Sequence, residues 1–224
     1  LGFRGEALAS VSAVADLTIA SKTADASAGV QVEYDEKGYP KNDINTPINL
    51  GTVVTVRNLF SRFPVRLKFM KSDEIEFSHI LHLIRNYSLA NPNISFHLYR
   101  DGKEVFNSPK SNNLLDKIYY VFGRDIAENL IPIDSNFGDV KISGYVSKIG
   151  YTKKTKDYQI VFVNDRFVKS KEVIDSIYKG YLNKLFLNRH PVIILKLQVP
   201  PENIDVNIHP SKRKIKFKNE RDLT

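Results

Sequence analysis

The apolar positions of this chain recur with two periods, and the switches between them mark a series of short helices and strands. Glu6 to Val14 reads as a helix, and Ala15 to Ser21 and Val30 to Tyr34 alternate as strands. Asp35-Glu36-Lys37-Gly38 supplies a turn. Asn42 to Leu50 is polar and contains a proline, which predicts a loop. Gly51 to Val56 is β-branched and opens on glycine, a strand signal. Leu59 to Met70 has no regular period, although Pro64 can begin a helical turn. Ser72 stands where it can cap a helix whose first turn carries Asp73, Glu74 and Glu76, negative charge at the positive end of the helix dipole. Ile80, Leu81, Ile84 and Tyr87 mark one face of that helix, and Asn91-Pro92 ends it.

Further on, Ile94 to Arg100, Asp101-Gly102 and Lys103 to Phe106 read as a hairpin. Asn107 to Asn113 is rich in Asn, Ser and Pro, the composition of a linker, and predicts a domain boundary with residues 1–108 before it and 109–224 after it. Leu114 to Phe122 is a helix stopped by Gly123. Strands are expected at Val140 to Ser147 and Tyr158 to Val163, with a basic loop, Lys148 to Asp157, between them. Ser170 caps a helix running from Lys171 to about Phe186. Pro191 to Val199 reads as a buried strand, and Lys214 to Lys218 alternates strictly, as a half-exposed strand does. Tyr119, Tyr120 and Phe122 are expected to be core or partly buried, and Phe162 packed within a strand, so no aromatic platform for stacked bases is predicted. The fold class is α+β.

Composition narrows the function classes. Of 224 residues, 42% are hydrophobic and 26% charged, the balance of a soluble globular protein. The longest apolar candidate, Val192 to Val199, is interrupted by Lys196 and Gln198 and falls well short of the ~20 residues a spanning helix needs. No membrane association and no secretion are therefore expected. There is no cysteine, which excludes disulfides, thiolate metal ligands and cysteine nucleophiles within these residues. Residues 1–108 carry 12 Lys/Arg against 12 Asp/Glu, whereas residues 109–224 carry 21 against 13, so the whole +8 lies in the second half. That asymmetry points to a surface for a polyanion.

Two short stretches suit phosphate chemistry. Gly2-Phe3-Arg4-Gly5 directly precedes the first helix. Glycines let the backbone approach a ligand, and the free N–H groups at a helix start favour an anion. No strand precedes that loop, so the chain is expected to be a piece of a longer protein. The second stretch is Asp205-Val206-Asn207-Ile208-His209-Pro210-Ser211-Lys212, a polar loop in which Pro210 restrains His209 and Lys212 offers a mobile cation. Lys153, Lys154, Lys156, Arg166, Lys169 and Lys171 fall in or beside loops of the basic half, and Arg213, Lys214, Lys216 and Lys218 add a basic edge. Such a set can follow phosphates without reading bases.

Residues 2–23 (GFRGEALASVSAVADLTIASKT), 51–70 (GTVVTVRNLFSRFPVRLKFM), 163–171 (VNDRFVKSK) and 205–217 (DVNIHPSKRKIKF) occur in the order and spacing of the N-terminal ATPase region of the MutL family of DNA mismatch-repair proteins, which the chain resembles over essentially its whole length. DNA gyrase, the heat-shock ATPase chaperones and histidine kinases share the ATPase architecture but lack the last block in this form. Arg62-Phe63-Pro64-Val65-Arg66 departs from the family's common Asn-x-Pro-Ala-Arg, and Asp165 stands where the family often has glycine, so the Asn164-Asp165 turn is expected to use residues that tolerate unusual dihedrals.

The resemblance implies that residues 1–108 are the C-terminal part of a GHKL-type α/β sandwich and that 109–224 form a transducer domain similar to a ribosomal-protein-like α/β fold. It implies ATP and Mg2+ as cofactors of the complete protein. Gly2, Phe3, Arg4 and Gly5 would hold the triphosphate through their backbone, Thr52 would help hold adenine through water, and Lys212 would reach the γ-phosphate. Lys169 and Lys171, with Lys153, Lys154 and Lys156, would contact DNA. The family's magnesium-binding asparagine, general-base glutamate and adenine-binding aspartate would lie before Leu1, so this stretch alone is expected not to hydrolyse ATP and supplies no catalytic residue. Expected partners are DNA, a second copy of the full-length protein, MutS and downstream nicking and unwinding enzymes, in the bacterial cytoplasm beside the nucleoid. Two other functions fit parts of the chain: a non-catalytic nucleic-acid-binding module using the basic half, and a type II topoisomerase ATPase subunit, against which DVNIHPSK argues.

Overall fold

The computed structural model describes residues 6–181, 184–205 and 216–217. It divides into two compact units, Leu1–Glu76 and Phe77–Thr224. The linker-like stretch 107–113 lies inside the second of these.

In the first unit, α1 (Ala7–Ser12) precedes a four-stranded antiparallel sheet of order β3-β2-β1-β4. Its strands are β1 (Asp16–Lys22), β2 (Gly29–Tyr34), β3 (Pro40–Thr46) and β4 (Gly51–Arg57). The β2–β3 turn is closed by Asp35, whose carboxylate accepts from the Lys37 and Tyr39 amides at 2.9 and 2.8 Å. The loop predicted for Asn42 to Leu50 is instead largely β3. Apart from Pro40 and the exposed Ile44 its side chains are polar, and nearly all are exposed, so no apolar alternation betrays it. Backbone pairing with β2, in one register from Gly29 with Thr46 to Glu33 with Asn42 and shifted by a bulge where Tyr34 meets Pro40, makes it a strand. The short helix at Pro64 forms as expected, as α2 (Pro64–Lys68).

The second unit begins within α3 (Asp73–Ala90), followed by the hairpin β5 (Phe96–Arg100) and β6 (Lys103–Ser108). Asp101 and Gly102 take φ of 51° and 75°, the left-handed pair that a tight two-residue hairpin turn requires. Then come α4 (Leu114–Phe122), α5 (Arg124–Glu128), β7 (Leu130–Phe137), β8 (Val140–Ser147), β9 (Gln159–Val163), β10 (Arg166–Val168), α6 (Lys171–Gly180) and β11 (Ile193–Gln198). Five strands form one mixed sheet, β10-β9-β11-β8-β7, in which only β9 and β11 are parallel. Ile204–Asp205 (β12) pairs with Lys216–Phe217 (β13), which places part of the strand expected at 214–218.

Both faces of the central strands β9 and β11 are covered. Ile160, Phe162, Val192 and Ile194 pack with Leu89 of α3, Ile118 and Val121 of α4 and Ile126 of α5. The alternate residues Val161, Val163, Ile193, Leu195 and Leu197 pack with Val173, Ile174 and Ile177 of α6. β9 and β11 therefore read as nearly continuous apolar runs, as strands buried on both faces do. Phe162 lies fully buried, as its pattern predicts, whereas Tyr119 and Tyr120 are about half exposed. On α3 the buried face is rotated from the predicted one: Leu81, Ile84 and Leu89 pack inward while Ile80 and Tyr87 face solvent. The helix predicted to reach Phe186 ends at Gly180, where Tyr181 turns inward and donates to the Ser147 carbonyl at 2.6 Å.

One buried charge belongs to this core. Lys117 of α4 is fully buried, and its ammonium donates to the carbonyls of Ile94, Ser108 and Pro109 at 2.7, 3.2 and 2.6 Å. Burial lowers its pKa from the ordinary lysine value, while the three acceptors satisfy all the ammonium's protons. The side chain thereby ties α4 to the segments on either side of the hairpin. Asn113 caps the same helix, its Oδ1 accepting from the Leu115 and Asp116 amides.

Candidate nucleotide and nucleic-acid surfaces

Gly2, Phe3, Arg4, Gly5 and Lys212 lie outside the described residues. Of the expected nucleotide-binding set, Thr52 is described. It sits near the start of β4 and is exposed. Its register opposite Ser21 of β1 brings the two hydroxyls to 2.8 Å, and Ser21 also donates to the Gly51 carbonyl at 3.2 Å. A threonine hydroxyl has one donor and two acceptor positions, so this bond leaves capacity for a water or a ligand. At the far end of β1, Asp16 accepts from Asn58 at 2.7 Å and from Arg62 at 2.6 Å, and both bonds lower its pKa. Arg62 also pairs with Glu36. These contacts hold the loop after β4, where Asn58 and Phe60 have φ of 52° and 60°. Phe60 in that region is a strained position for a bulky residue.

Of the basic candidates of the second unit, Arg213, Lys214 and Lys218 lie outside the described residues, Arg166 lies in β10 and Lys216 in β13, and the five remaining lysines fall into two groups. Lys156, Lys169 and Lys171 line one cleft of about 500 Å³ together with Asp157 and Asp175, so three cations outweigh two carboxylates there. All three lysines are exposed. Lys169 and Lys171 flank Ser170, whose Oγ accepts from the Val173 amide at 3.3 Å and caps α6. The first turn already carries a carboxylate, Glu172, which accepts from Ser170 Oγ at 2.9 Å and suits the positive end of the helix dipole. The turn that delivers Lys169 is the one at Asn164-Asp165, with φ of 48° and 62°, the unusual dihedrals expected from its sequence. Asn164 fixes it by donating to the Val199 carbonyl and accepting from the Val199 amide.

Lys153 and Lys154 lie in the loop 148–157. Lys154 is exposed. Lys153 is not presented in the same way: its ammonium reaches Asp125 at 3.3 Å and lies over the rings of Tyr151 and Tyr158 at 4.7 and 5.6 Å. Burial alone would lower the Lys153 pKa, but hydrogen bonds with Tyr151 and Asp125 raise it. Asp125 also accepts a short hydrogen bond from Tyr151, and the two bonds hold its pKa below the carboxylate range. Behind the loop, Tyr178 meets His190 Nδ1 at 2.6 Å and Gln159 donates to Tyr178 at 2.8 Å. Burial first, then Lys156 and Arg189, lowers the His190 pKa.

Lys117, Asp125 and Tyr151 are not among the residues the sequence pattern marks out. Lys117 carried a legible signal, because it stands four residues before Val121 and next to Ile118, on the face that α4 buries. Asp125 and Tyr151 carried none, since their partnership depends on tertiary placement. A larger cleft of about 580 Å³ lies between β7, β8 and α6, but none of its lining residues is charged. Among the described residues no cluster of His, Asp or Glu could hold a metal ion.

Three comparisons bear on this arrangement. Residues 118–224 match the family described as DNA mismatch repair protein, C-terminal domain. The DNA mismatch repair protein MutL of Clostridium botulinum (strain Okra / Type B1) is 37% identical over 221 residues, 99% of this chain and 33% of that protein. The chain thus spans about a third of the length of the curated relatives it matches. A crystal structure of the N-terminal domain of a DNA repair protein is similar with a TM-score of 0.83 at 31% identity, over 99% of this chain and 72% of the other. The Aquifex aeolicus MutL ATPase domain complexed with ADP follows with a TM-score of 0.69 at 28% identity, over 88% of this chain and 72% of the other.

Proposed function

The chain belongs to the MutL family of DNA mismatch repair proteins, and we propose that within it these residues join a nucleotide-responsive region to a DNA-holding surface. Residues 1–108 serve as the C-terminal part of the ATPase domain and 109–224 as the transducer. The nucleotide is ATP in the complete protein, a reading supported by the ADP-bound relative. When bound, ATP supplies a γ-phosphate whose presence or loss distinguishes two states. Gly2, Phe3, Arg4 and Gly5 hold the triphosphate through backbone N–H groups, and Lys212 holds its terminal phosphate. Thr52 orients a water toward adenine, and the Thr52–Ser21 hydroxyl pair on an exposed strand fits that task. Mg2+ belongs to the complete protein, and no described residue is assigned to it.

The basic surface is the part that the geometry supports best. The observation that carries it is the convergence of Lys156, Lys169 and Lys171 on one cleft at the start of α6. Ammonium groups lining one cleft bind phosphate as point charges, without reading a base. In the complete protein a homodimer would close around DNA in the ATP state and pass mismatch recognition by MutS to nicking and unwinding enzymes, in the cytoplasm at the nucleoid.

The test is the salt dependence of duplex DNA binding by the intact protein. Affinity should fall steeply with salt, and replacing Lys156, Lys169 and Lys171 together by Ala should reduce the log–log slope by about 2–3, close to one per lost phosphate contact. Salt-insensitive binding, or an unchanged slope in the triple variant, rejects the surface. Lys212→Ala separately tests the nucleotide assignment: ATP turnover and nucleotide-dependent dimerisation should both fall.

A further inference from the structure

We infer that Asp125 is a positioning residue for the DNA surface: an acidic side chain that strengthens binding to a polyanion by pinning the basic loop 148–157. The inference rests on the DNA-binding reading above.

The loop is anchored at successive points and left open at its tip. At its start, the Lys148 amide donates to the Asn129 carbonyl at 2.9 Å and the Lys148 ammonium to the Glu128 carbonyl at 2.8 Å. Lys153 and His190 exchange backbone hydrogen bonds at 2.8 and 2.9 Å. Thr152 is buried beneath Arg189, which donates to its hydroxyl at 2.9 Å and its carbonyl at 2.8 Å. Asp125 makes the acidic side-chain anchor, accepting from the Tyr151 hydroxyl and from the Lys153 ammonium through the same oxygen, Oδ2. Beyond these ties Lys154, Thr155 and Lys156 are exposed, and the Gln159 amide donates back to the Lys156 carbonyl at 3.0 Å.

The division of labour follows from these contacts. Lys153 is used up internally: its charge is compensated by Asp125 and its ammonium sits over two tyrosine rings. Lys154 and Lys156 remain for phosphate, carried by a loop that these contacts tie to the body of the unit. Ordering a loop on binding costs affinity, and a loop fixed beforehand avoids that cost. Asp125 has the wrong sign for direct DNA contact, so its two possible roles predict opposite outcomes. If it acts only as a charge, its removal relieves repulsion and tightens binding. If it positions the loop, its removal weakens binding.

The experiment measures binding of a random-sequence duplex to the intact protein at low and moderate salt, with wild type, Asp125→Asn, Asp125→Ala, Asp125→Glu and Tyr151→Phe, each checked for unchanged thermal unfolding. Asp125→Asn and Asp125→Ala should bind roughly three- to tenfold more weakly although the protein becomes more positive. Tyr151→Phe, which alters no charge, should weaken binding in the same direction, and Asp125→Glu should restore part of the loss. If an Asp125 variant fails to fold, Tyr151→Phe alone decides, because a pure charge role leaves it at the wild-type value. Equal or tighter binding by folded Asp125→Ala, or an unchanged Tyr151→Phe, overturns the inference while the DNA surface stands. Failure of wild type to bind at low salt overturns both.

Discussion

The two sheets of this molecule are stabilised by different means. In the five-stranded sheet, β9 and β11 are buried on both faces, and Phe162, Val192, Ile193 and Ile194 are fully enclosed. In the four-stranded sheet, Leu17 and Ala20 of β1 are buried, but Val53 and Val54 of β4 are 52% and 48% exposed. Consecutive strand residues point to opposite faces, so β4 is open on both sides among the described residues. β4 is formed because its β-branched residues favour extended backbone and pair with β1 over seven residues. Among the described residues packing adds little there, whereas in the second unit it adds most of what holds the sheet. Burying a large apolar side chain contributes about 1.5–3 kcal/mol, and the second sheet collects that term many times over.

The widest separation between the units should appear on truncating an apolar strand residue in each. Phe162→Ala empties a fully buried site and should cost about 3–5 kcal/mol. Val54→Ala removes a half-exposed side chain and should cost at most about 1 kcal/mol. Denaturant unfolding followed by unit-resolved hydrogen exchange measures both. Comparable losses at the two positions would refute the contrast.

Charge offers a second, smaller separation. Lys117→Met keeps the length and apolar stem of the side chain but strands three carbonyls in the core, and should cost about 2–3 kcal/mol. Lys41→Met on the exposed strand β3 should change stability by less than about 0.5 kcal/mol. Amides 92–111 should lose protection in Lys117→Met ahead of the five-stranded sheet, because the ammonium ties the Ile94, Ser108 and Pro109 carbonyls together. Equal effects of the two substitutions would show that the buried ammonium contributes nothing.

The same contrast explains what could be read from the chain beforehand. Elements specified by local chemistry are legible: Asn113 and Gly123 bound α4, Asp101-Gly102 turns the hairpin, and Ser170 starts α6. β9 and β11 are legible because double burial writes an apolar run into the sequence. β3 is not, since an edge strand with polar, solvated side chains has no reason to alternate. α5 and β10, of five and three residues, are too short to carry a period of their own. β7 is exposed along most of its length and held by pairing with β8. The face of α3 is legible in part: Leu81 and Ile84 pack as their spacing predicts, but Ile80 and Tyr87 are exposed while Asn86 and Ser88 are buried. For the candidate site, lysines in loops were visible, but the neutralisation of Lys153 by Asp125 joins residues 28 positions apart and has no local signature.

Acid should separate the units most gently. In the first, Asp16 is held below its ordinary 3.8 by bonds from Asn58 and Arg62, and Asp35 by the Tyr39 amide and then by Lys37. A depressed carboxylate contributes stability that is present above its unfolded pKa and is lost as pH falls through the lower folded value, so this unit should respond below about pH 4. In the second unit His190, ordinarily near 6.5, is depressed by burial, Lys156 and Arg189. The folded state then holds fewer protons than the unfolded one as pH drops below 6.5, and stability falls with it. Because the ring is partly solvated, the decline between pH 7 and 5 should be less than about 1 kcal/mol. Hydrogen exchange over that range should show β9 and β11 losing protection before β1 and β4 do, and His190→Gln should flatten the second unit's response while leaving the first unchanged. If the two sheets weaken together above pH 5, or if His190→Gln leaves the slope intact, the imidazole is not the group that titrates.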